Sequence, residues 1–465
     1  MNELSIHLDA TIKIPLYEQI YQHIKKAIVE GQLKALEKLP STRALSAHLQ
    51  VSRSTVDLAY EQLLSEGYIE SIPCKGYYIC EIEGLFQLSL TNVKHLVPVI
   101  KEKKYDYDFS PNGIDLTNFP YHIWRKITRN ILYDDNQELF LLGSPSGERK
   151  LRDTIVSYLY HARGVKCTAD QMIIGAGNDY LMMLISQIIG TDHKIAIENP
   201  TYKKAYGLLQ NLGYEMETVD MDEQGMSVSQ LKSTGANIAY VMPSHQYPIG
   251  MIMPIKRRME LLKWASEKEG RYIIEDDYDS EFRYKGKPIP SLQGSDTKGN
   301  VIYLGTFSKS VAPSIRISYM VLPPSMLKIY ETKKHIFSST VSKTDQMVMD
   351  AFIEEGYFER HLNKMRGIYK GKHDVILREV RKIKSVEEIL GENAGVHILV
   401  RFKEGYGEDE MIERAKNVGV KVYGLSDYDI QPQRKGKDHA TVILGYANLS
   451  EEEISAAMIR LKQVW

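Results

Sequence analysis

The chain has 465 residues, too many for one ordinary domain, so two or three are expected. Its 59 Lys+Arg stand against 60 Asp+Glu, a net charge of −1, which argues against a polycation that coats nucleic acid and against a disordered acidic tail. With 43% hydrophobic and 26% charged residues, it can bury a sizeable core and fold unaided.

The cysteines Cys74, Cys80 and Cys167 form no CxxC pair and have no histidine at ligand spacing. Neither a disulfide framework nor a metal site is expected, and a reducing cytoplasm fits. MNELSIHLDA is acidic and lacks the apolar stretch of a signal peptide. The longest apolar run, Tyr180 to Ile189, is too short to cross a hydrocarbon core of about 30 Å, so no membrane partner is expected. By texture the chain divides into residues 1–80, a linker at 81–104 that ends in a charge run, and residues 105–465.

Pro15 to Glu30 carries Leu16, Ile20, Ile24, Ala27 and Ile28 at helical spacing, which predicts a first helix. Pro40-Ser41 opens a second, with Ser41 as N-cap and Leu45 and Leu49 facing inward. Val51-Ser52 turns the chain into a third helix, from about Arg53 to Ser65. Helix, short turn, helix is the geometry that lays a second helix into the major groove. IESIPCKGYYIC then reads as a β-like wing turning at Lys75-Gly76.

The run LPSTRALSAHLQVSRSTVDLAYEQLLSEGYI resembles the winged helix-turn-helix of the GntR family of bacterial repressors. The resemblance implies binding to a double-stranded DNA operator. Arg43 and Arg53 would contact DNA, with Ser52, Ser54 and Thr55 at the start of the recognition helix and Lys75 and Gly76 on the wing. Hydroxyls and guanidinium groups at a helix N-terminus suit both phosphate and base-edge contacts. Residues 1–80 hold eight Lys+Arg and nine Asp+Glu, so a few placed residues must supply the affinity. A three-helix protein-interaction module is the competing reading.

From Tyr105 onward, strand-like runs (QMIIGAG, HKIAIENP, ANIAYVMPS, GRYIIEDD and GNVIYLGTFSK) alternate with amphipathic helices. This predicts a mostly parallel sheet with helices on both faces. In GTFSKSVAPSIRISY an apolar strand runs into a hydroxyl-rich turn holding Lys309. Burial lowers a lysine's pKa, and a neutral amine can form a Schiff base with an aldehyde. Thr306, Ser308 and Arg316 would supply donors for a phosphate, and lysine plus phosphate donors in one turn is the logic of a pyridoxal phosphate site. A carboxylate ending RYIIEDD could keep a pyridine nitrogen protonated. The glycine turn of IIGAGNDYL could offer backbone amides to the phosphate.

Residues 105–465 resemble the fold-type I pyridoxal-phosphate aminotransferases, and the whole chain resembles MocR/GabR-type regulators, in which a GntR-like winged helix is fused to such a domain. Supporting runs are FPYHIWRK, GSPSGERKLRDTIVSYLYHARGV, NPTYKKAY, MPSHQYPIG and EDDYDSEF. The expected fold is therefore multidomain: a winged helix-turn-helix, mostly α with a β wing, plus an α/β aminotransferase-like domain. The resemblance implies pyridoxal 5'-phosphate as cofactor, with Lys309 as its Schiff-base lysine, Asp276 on the pyridine nitrogen and Tyr278 on the ring hydroxyl. Ala176, Gly177, Asn178, Thr306, Ser308 and Arg316 would surround the phosphate, and Tyr202 would stack on the ring. It also implies a homodimer, with winged helices swapped onto the partner.

The chain departs from the enzymes at two positions. Tyr247 stands where aminotransferases usually present an asparagine to the cofactor, and GabR-like proteins also tend to carry an aromatic residue there. In ILGYANLSEEEI, Asn448 stands where the family places an arginine that grips the substrate's α-carboxylate. Lys204 stands where GabR-like proteins use another arginine. The small-molecule effector is then either pyridoxal phosphate itself or an amino compound that forms an aldimine. Lys204 and Asn448 are its candidate contacts, or its carboxylate sits elsewhere, near Lys203, Lys204 or the loop QPQRKGKDH, for which a solvated surface turn is the competing reading. The expected function is a regulator whose operator binding such a ligand modulates, with at most a partial transamination half-reaction. The alternative is a working aminotransferase with a DNA-binding appendage.

Overall fold

The computed structural model describes residues 6–9, 11–81, 105–133, 137–284, 289–431 and 440–465. The expected linker, 81–104, lies almost wholly outside the described residues, as does the loop QPQRKGKDH beyond Gln431. The chain divides into two units, Met1–Glu102 and Lys103–Trp465.

In the first unit α1 (Leu16–Val29), α2 (Thr42–Leu49) and α3 (Arg53–Ser65) are followed by the hairpin β1 (Ile69–Ile72) and β2 (Gly76–Ile79). Ser41 caps α2 by accepting from the Ala44 N–H at 3.2 Å, and Ser52 caps α3 by accepting from the Thr55 N–H at 3.2 Å. The reversal between the two helices falls on Gln50, which takes a left-handed conformation at φ 56°. Ile20, Ile24, Leu45, Val56, Tyr60 and Leu63 form the core, closed by Ile69 and Ile79, which face each other across the antiparallel wing. Leu49 is half-buried against it. Each fully buried aliphatic side chain contributes roughly 1.5–3 kcal/mol. Polar ties orient the helices. The Tyr60 hydroxyl donates to the Pro40 carbonyl at 2.9 Å, and Lys25 of α1 reaches Glu66 beyond α3 at 2.8 Å.

The second unit begins with β3 (Tyr107–Asp108), α4 (Tyr121–Leu132) and α5 (Arg149–Arg163). Its main sheet contains β4 (Met172–Gly175), β5 (Lys194–Asn199), β6 (Glu215–Asp222), β7 (Gly225–Met226), β8 (Ile238–Val241), β9 (Tyr272–Asp277), β10 (Val301–Thr306) and β11 (Ser318–Val321). Their order is β4-β11-β10-β9-β8-β5-β6-β7. The sheet is parallel from β10 through β6, and β11 runs antiparallel between β10 and β4. The link from β10 to β11 is too short for the helical crossover a parallel strand needs, so β11 returns antiparallel. The helix α6 (Asn178–Ile189) follows β4.

A second sheet uses β12 (Val386–Leu390), β13 (His397–Phe402), β15 (Tyr423–Gly424) and β16 (Thr441–Gly445), in the order β12-β13-β16-β15, while β14 (Val420–Lys421) pairs with β3. The helix Tyr357–Val380 joins the two cores: Phe358, Leu362, Met365 and Tyr369 pack against the first, and Val375, Ile376 and Val380 against the second. Beside this helix Lys372 and Asp115 form a buried ion pair at 2.8 Å. Among the described residues no helix is long and apolar enough to cross a membrane, and no group of three or more His, Cys, Asp or Glu could hold a metal ion.

Candidate functional site

In the first unit, Arg43 on α2, Ser52 to Ser54 at the start of α3 and Lys75 in the wing turn are all exposed, and Thr55 and Gly76 are half-buried. The Ser52 hydroxyl lies 2.8 Å from Ser54 Oγ and 2.7 Å from Thr55 Oγ1, so three hydroxyls cluster at the N-terminus of α3. Arg53 faces Asp57 one turn on, at 3.5 Å. Exposed i,i+4 pairs of this kind are weak, so the guanidinium stays available to another anion.

In the second unit β4 and β10 run in the same sense, and the C-terminal ends of β4, β5, β8, β9 and β10 open on one cavity of about 230 Å³. Ligands in open α/β sheets bind at such a strand-end crevice. Gly177, Asn178, Tyr202, Lys204, Tyr247, Asp276, Tyr278, Thr306, Ser308, Lys309 and Arg316 all line it. Lys309 follows β10, and its Nζ donates to the Pro111 carbonyl at 3.3 Å. Burial lowers this amine to a pKa of about 8, against a small opposing pull from Asp279. Asp276, near the end of β9, accepts from the Tyr240 hydroxyl and from Asn178 Nδ2 at 3.2 Å. Burial raises its pKa to about 6 in spite of those donors. A cation beside it would draw that value back down.

At the other end of the cavity β4 turns through Gly177 (φ 93°) into α6, and Arg316 lies directly against that turn. A Cβ on Gly177 would lie 2.2 Å from Arg316 Nη2, so both the conformation and the close approach require glycine. Arg316 Nη2 donates to the Ala176 carbonyl at 3.0 Å and lies 3.4 Å from Asp179 Oδ2. Thr306 Oγ1 is held by Ser318 Oγ at 2.8 Å and lies 3.0 Å from Ser308 Oγ. A guanidinium, two hydroxyls and the first amides of a helix form an anion cradle. The rim is aromatic: Tyr247 meets Tyr202 and Tyr278 edge-on at 5.8 Å, and donates to the Tyr428 hydroxyl at 3.0 Å.

Two expected contacts do not line the cavity. Ala176 gives its carbonyl to Arg316 and its N–H to Thr340 Oγ1 at 3.0 Å, so it holds the cradle from outside. Asn448 is exposed, and its Nδ2 donates to the Asp108 carbonyl at 3.0 Å. A short amide there braces the loop that carries Pro111 and does not reach the cavity. Sequence reasoning missed the lining residues Asn112, Asp179, Met182 and Met242. Asp179 and Met182 follow Asn178 on the first turns of α6 and Met242 ends β8, so the strand-end rule could have found them. Asn112 comes from a loop nearly two hundred residues from Lys309 and carries no local signal.

A pyridoxal-type cofactor fits the side chains present. Lys309 offers a desolvated amine, Asp276 a buried carboxylate, the Gly177–Arg316 cradle a place for a phosphate, and Asn178 Oδ1 is buried without a partner among the described residues.

Winged helix and strand-end cavity together define a DNA-binding regulator built on an aminotransferase scaffold. Comparison with known proteins agrees. Residues 16–79 match the family described as "Bacterial regulatory proteins, gntR family", and residues 114–423 match "Aminotransferase class I and II". The chain is 40% identical to the uncharacterized HTH-type transcriptional regulator YdeL of Bacillus subtilis, over 100% of this chain and 99% of that protein. It is 29% identical to the probable rhizopine catabolism regulatory protein MocR of Rhizobium meliloti, over 98% and 95%. Pyrococcus horikoshii kynurenine aminotransferase, solved in complex with PMP, superposes with a TM-score of 0.69 at 26% identity, over 78% of this chain and 91% of that one. The chain belongs to the GntR-family transcriptional regulators of the MocR type, a winged helix followed by a class I and II aminotransferase domain.

Proposed function

We propose that residues 1–80 read a DNA operator and residues 105–465 bind pyridoxal 5'-phosphate, with 81–104 as the linker and operator affinity set by what occupies the large domain's cavity. The observation that carries this reading is the convergence of Lys309, Asp276 and the Gly177–Arg316 cradle on one cavity in a chain that also holds a winged helix. When bound, the cofactor supplies an aldehyde and an electron-accepting ring. Lys309 presents the amine that captures that aldehyde, Asp276 holds a proton at the ring nitrogen, and Arg316, Thr306, Ser308 and the amides of Gly177 and Asn178 bind the phosphate. Tyr278 hydrogen-bonds the ring oxygen, and Tyr202 packs on the ring. Lys204, exposed at the cavity's rim, attracts an effector's anionic group.

A ligand changes operator affinity only by favouring one arrangement of the two domains over another. A homodimer belongs to this reading. Phe140, Leu141 and Leu142, 79%, 64% and 78% exposed, form an apolar strip of the kind a second copy covers. Two reading heads would then recognise two half-sites, inside a cytoplasmic protein.

Gel shifts on the DNA upstream of the protein's own gene and its neighbours, with and without pyridoxal phosphate, test the reading. A sequence-specific band whose midpoint moves with the cofactor is expected, and no such band under either condition refutes it. The second reading, a working aminotransferase, draws on the Lys309 amine, whose pKa near 8 suits proton transfer. It lacks a guanidinium at position 448 to orient a substrate carboxylate. Steady turnover of an amino donor with a keto acid decides for it. A single half-reaction is compatible with sensing.

A further inference from the structure

Behind the aromatic rim lies a polar cluster that the reading above does not use. His245, four residues past β8, and Asp279, two past β9, leave neighbouring strands side by side. Their side chains are 2% and 1% exposed. His245 Nδ1 lies 3.0 and 2.9 Å from the two carboxylate oxygens of Asp279 and 2.9 Å from the Tyr278 hydroxyl oxygen.

These three distances constrain which atoms can donate. A carboxylate only accepts, so Nδ1 carries the hydrogen. The Tyr278 oxygen facing that N–H can only accept from it. The phenol's own hydrogen is then free to turn away from His245, and Tyr278 lines the cavity. We propose that His245 and Asp279 form a positioning pair that commits the Tyr278 hydroxyl to donate into the cavity, where it sets the charge state of a ring oxygen held there. The proposal rests on the reading that this cavity holds pyridoxal phosphate.

The surroundings keep the imidazole in place. Its Nε2 is buried and has no partner among the described residues. A Cβ on Gly395 would lie 2.1 Å from His245 Cε1, and one on Gly250 would lie 3.4 Å from Nε2. Glycine at position 395 lets backbone close on the ring. The titratable and charged neighbours are Asp279, Tyr278 and His397, with Arg163 and Arg283 lining a small cavity beside the pair and Lys309, Asp276 and Glu281 within reach of Asp279's charge. His397, with its ring 5.5 Å away, donates from Nε2 to the Pro248 carbonyl at 2.7 Å. Burial, reinforced by His245, lowers its pKa to about 3, so it stays neutral and does not compete for Asp279. A hydrogen bond donated to an oxygen favours the anionic form of that oxygen and lowers its pKa.

The test is a pH titration of the visible absorption band in full-length, cofactor-loaded protein. His245→Leu removes the Nδ1 donor, and His245→Asn keeps an N–H at nearly the same place. The titration midpoint should rise by about one pH unit in His245→Leu, a tenfold change in the ring oxygen's proton affinity. It should return most of the way in His245→Asn. Tyr278→Phe should raise the midpoint by itself, and adding His245→Leu should raise it no further. If His245→Leu does not fold, Asp279→Asn, which keeps the volume, should move the midpoint in the same direction. A loaded variant with an unmoved midpoint overturns the proposal, as does a His245 effect that persists undiminished without the Tyr278 hydroxyl. Wild-type protein that traps no cofactor at Lys309 overturns the functional reading itself and this pair with it.

Discussion

Gly177→Ala separates backbone strain from loss of the anion cradle. Gly177 sits at φ 93° and ψ 163°, a region essentially reserved for glycine, so an alanine there costs roughly 1–3 kcal/mol. At position 177 the new Cβ would also lie 2.2 Å from Arg316 Nη2 and 2.6 Å from Cζ, so the guanidinium must leave its place. Charge-assisted hydrogen bonds are worth roughly 1.5–3 kcal/mol each, which converts to about 10- to 150-fold weaker binding of a phosphate. Gly213 is the control: its φ is 96° and a Cβ there meets nothing within 4 Å. Urea unfolding should therefore show both alanine variants destabilised, each by roughly 1–3 kcal/mol. Titration with pyridoxal phosphate should show lost affinity in Gly177→Ala alone. A loss below about threefold at position 177, under ~0.7 kcal/mol, would refute the assignment of this turn to the phosphate.

Other outcomes follow from the same contacts. Lys309→Ala should abolish borohydride trapping of the cofactor, and wild-type capture should rise about tenfold per pH unit up to about pH 8, then level off, because only the uncharged amine attacks. Stopped-flow absorbance checks the slope. Lys372→Met leaves the Asp115 carboxylate buried without its cation and should cost about 3–5 kcal/mol in denaturant unfolding of the large unit. Arg53→Ala should remove operator binding at physiological salt with unchanged cofactor spectra, since its pair with Asp57 is worth only a few tenths of a kcal/mol. Ser41→Ala should cost about 1 kcal/mol in unfolding of the winged helix by removing the cap on α2.

The small unit was legible nearly residue by residue, because its signals are local. Ile20, Ile24 and Ile28 mark one helical face, and Ser41 and Ser52 cap the helices that follow them. In the large unit, apolar runs mark β4, β5, β8, β9 and β10, the strands buried on both faces. β6 lies near the sheet's edge, where charged residues alternate with Met216, Val219 and Met221, and its apolar signal is diluted. The site divides in the same way. Lys309, Asp276 and Gly177 stand where strands end, and the strand pattern leads to them. Asn112, Tyr240 and Tyr428 act on the cavity or its lining from distant segments, and only the folded chain brings them there. Asn448 failed as a cavity contact because its amide is too short to reach past the Asp108 carbonyl that it holds.

The placing of Asp276 and Lys309 has a consequence for how such a protein can change. β9 and β10 are neighbours in the middle of the sheet, with Asp276 opposite Leu304 and Asp277 opposite Gly305. Backbone pairing therefore sets the spacing between the two ends of the cavity floor, and drift in side chains elsewhere leaves that ruler untouched. Lys204 and Asn448 lie outside this frame, on exposed stretches. Substitution at Lys204 can therefore alter what the cavity mouth attracts without altering the strand spacing beneath it.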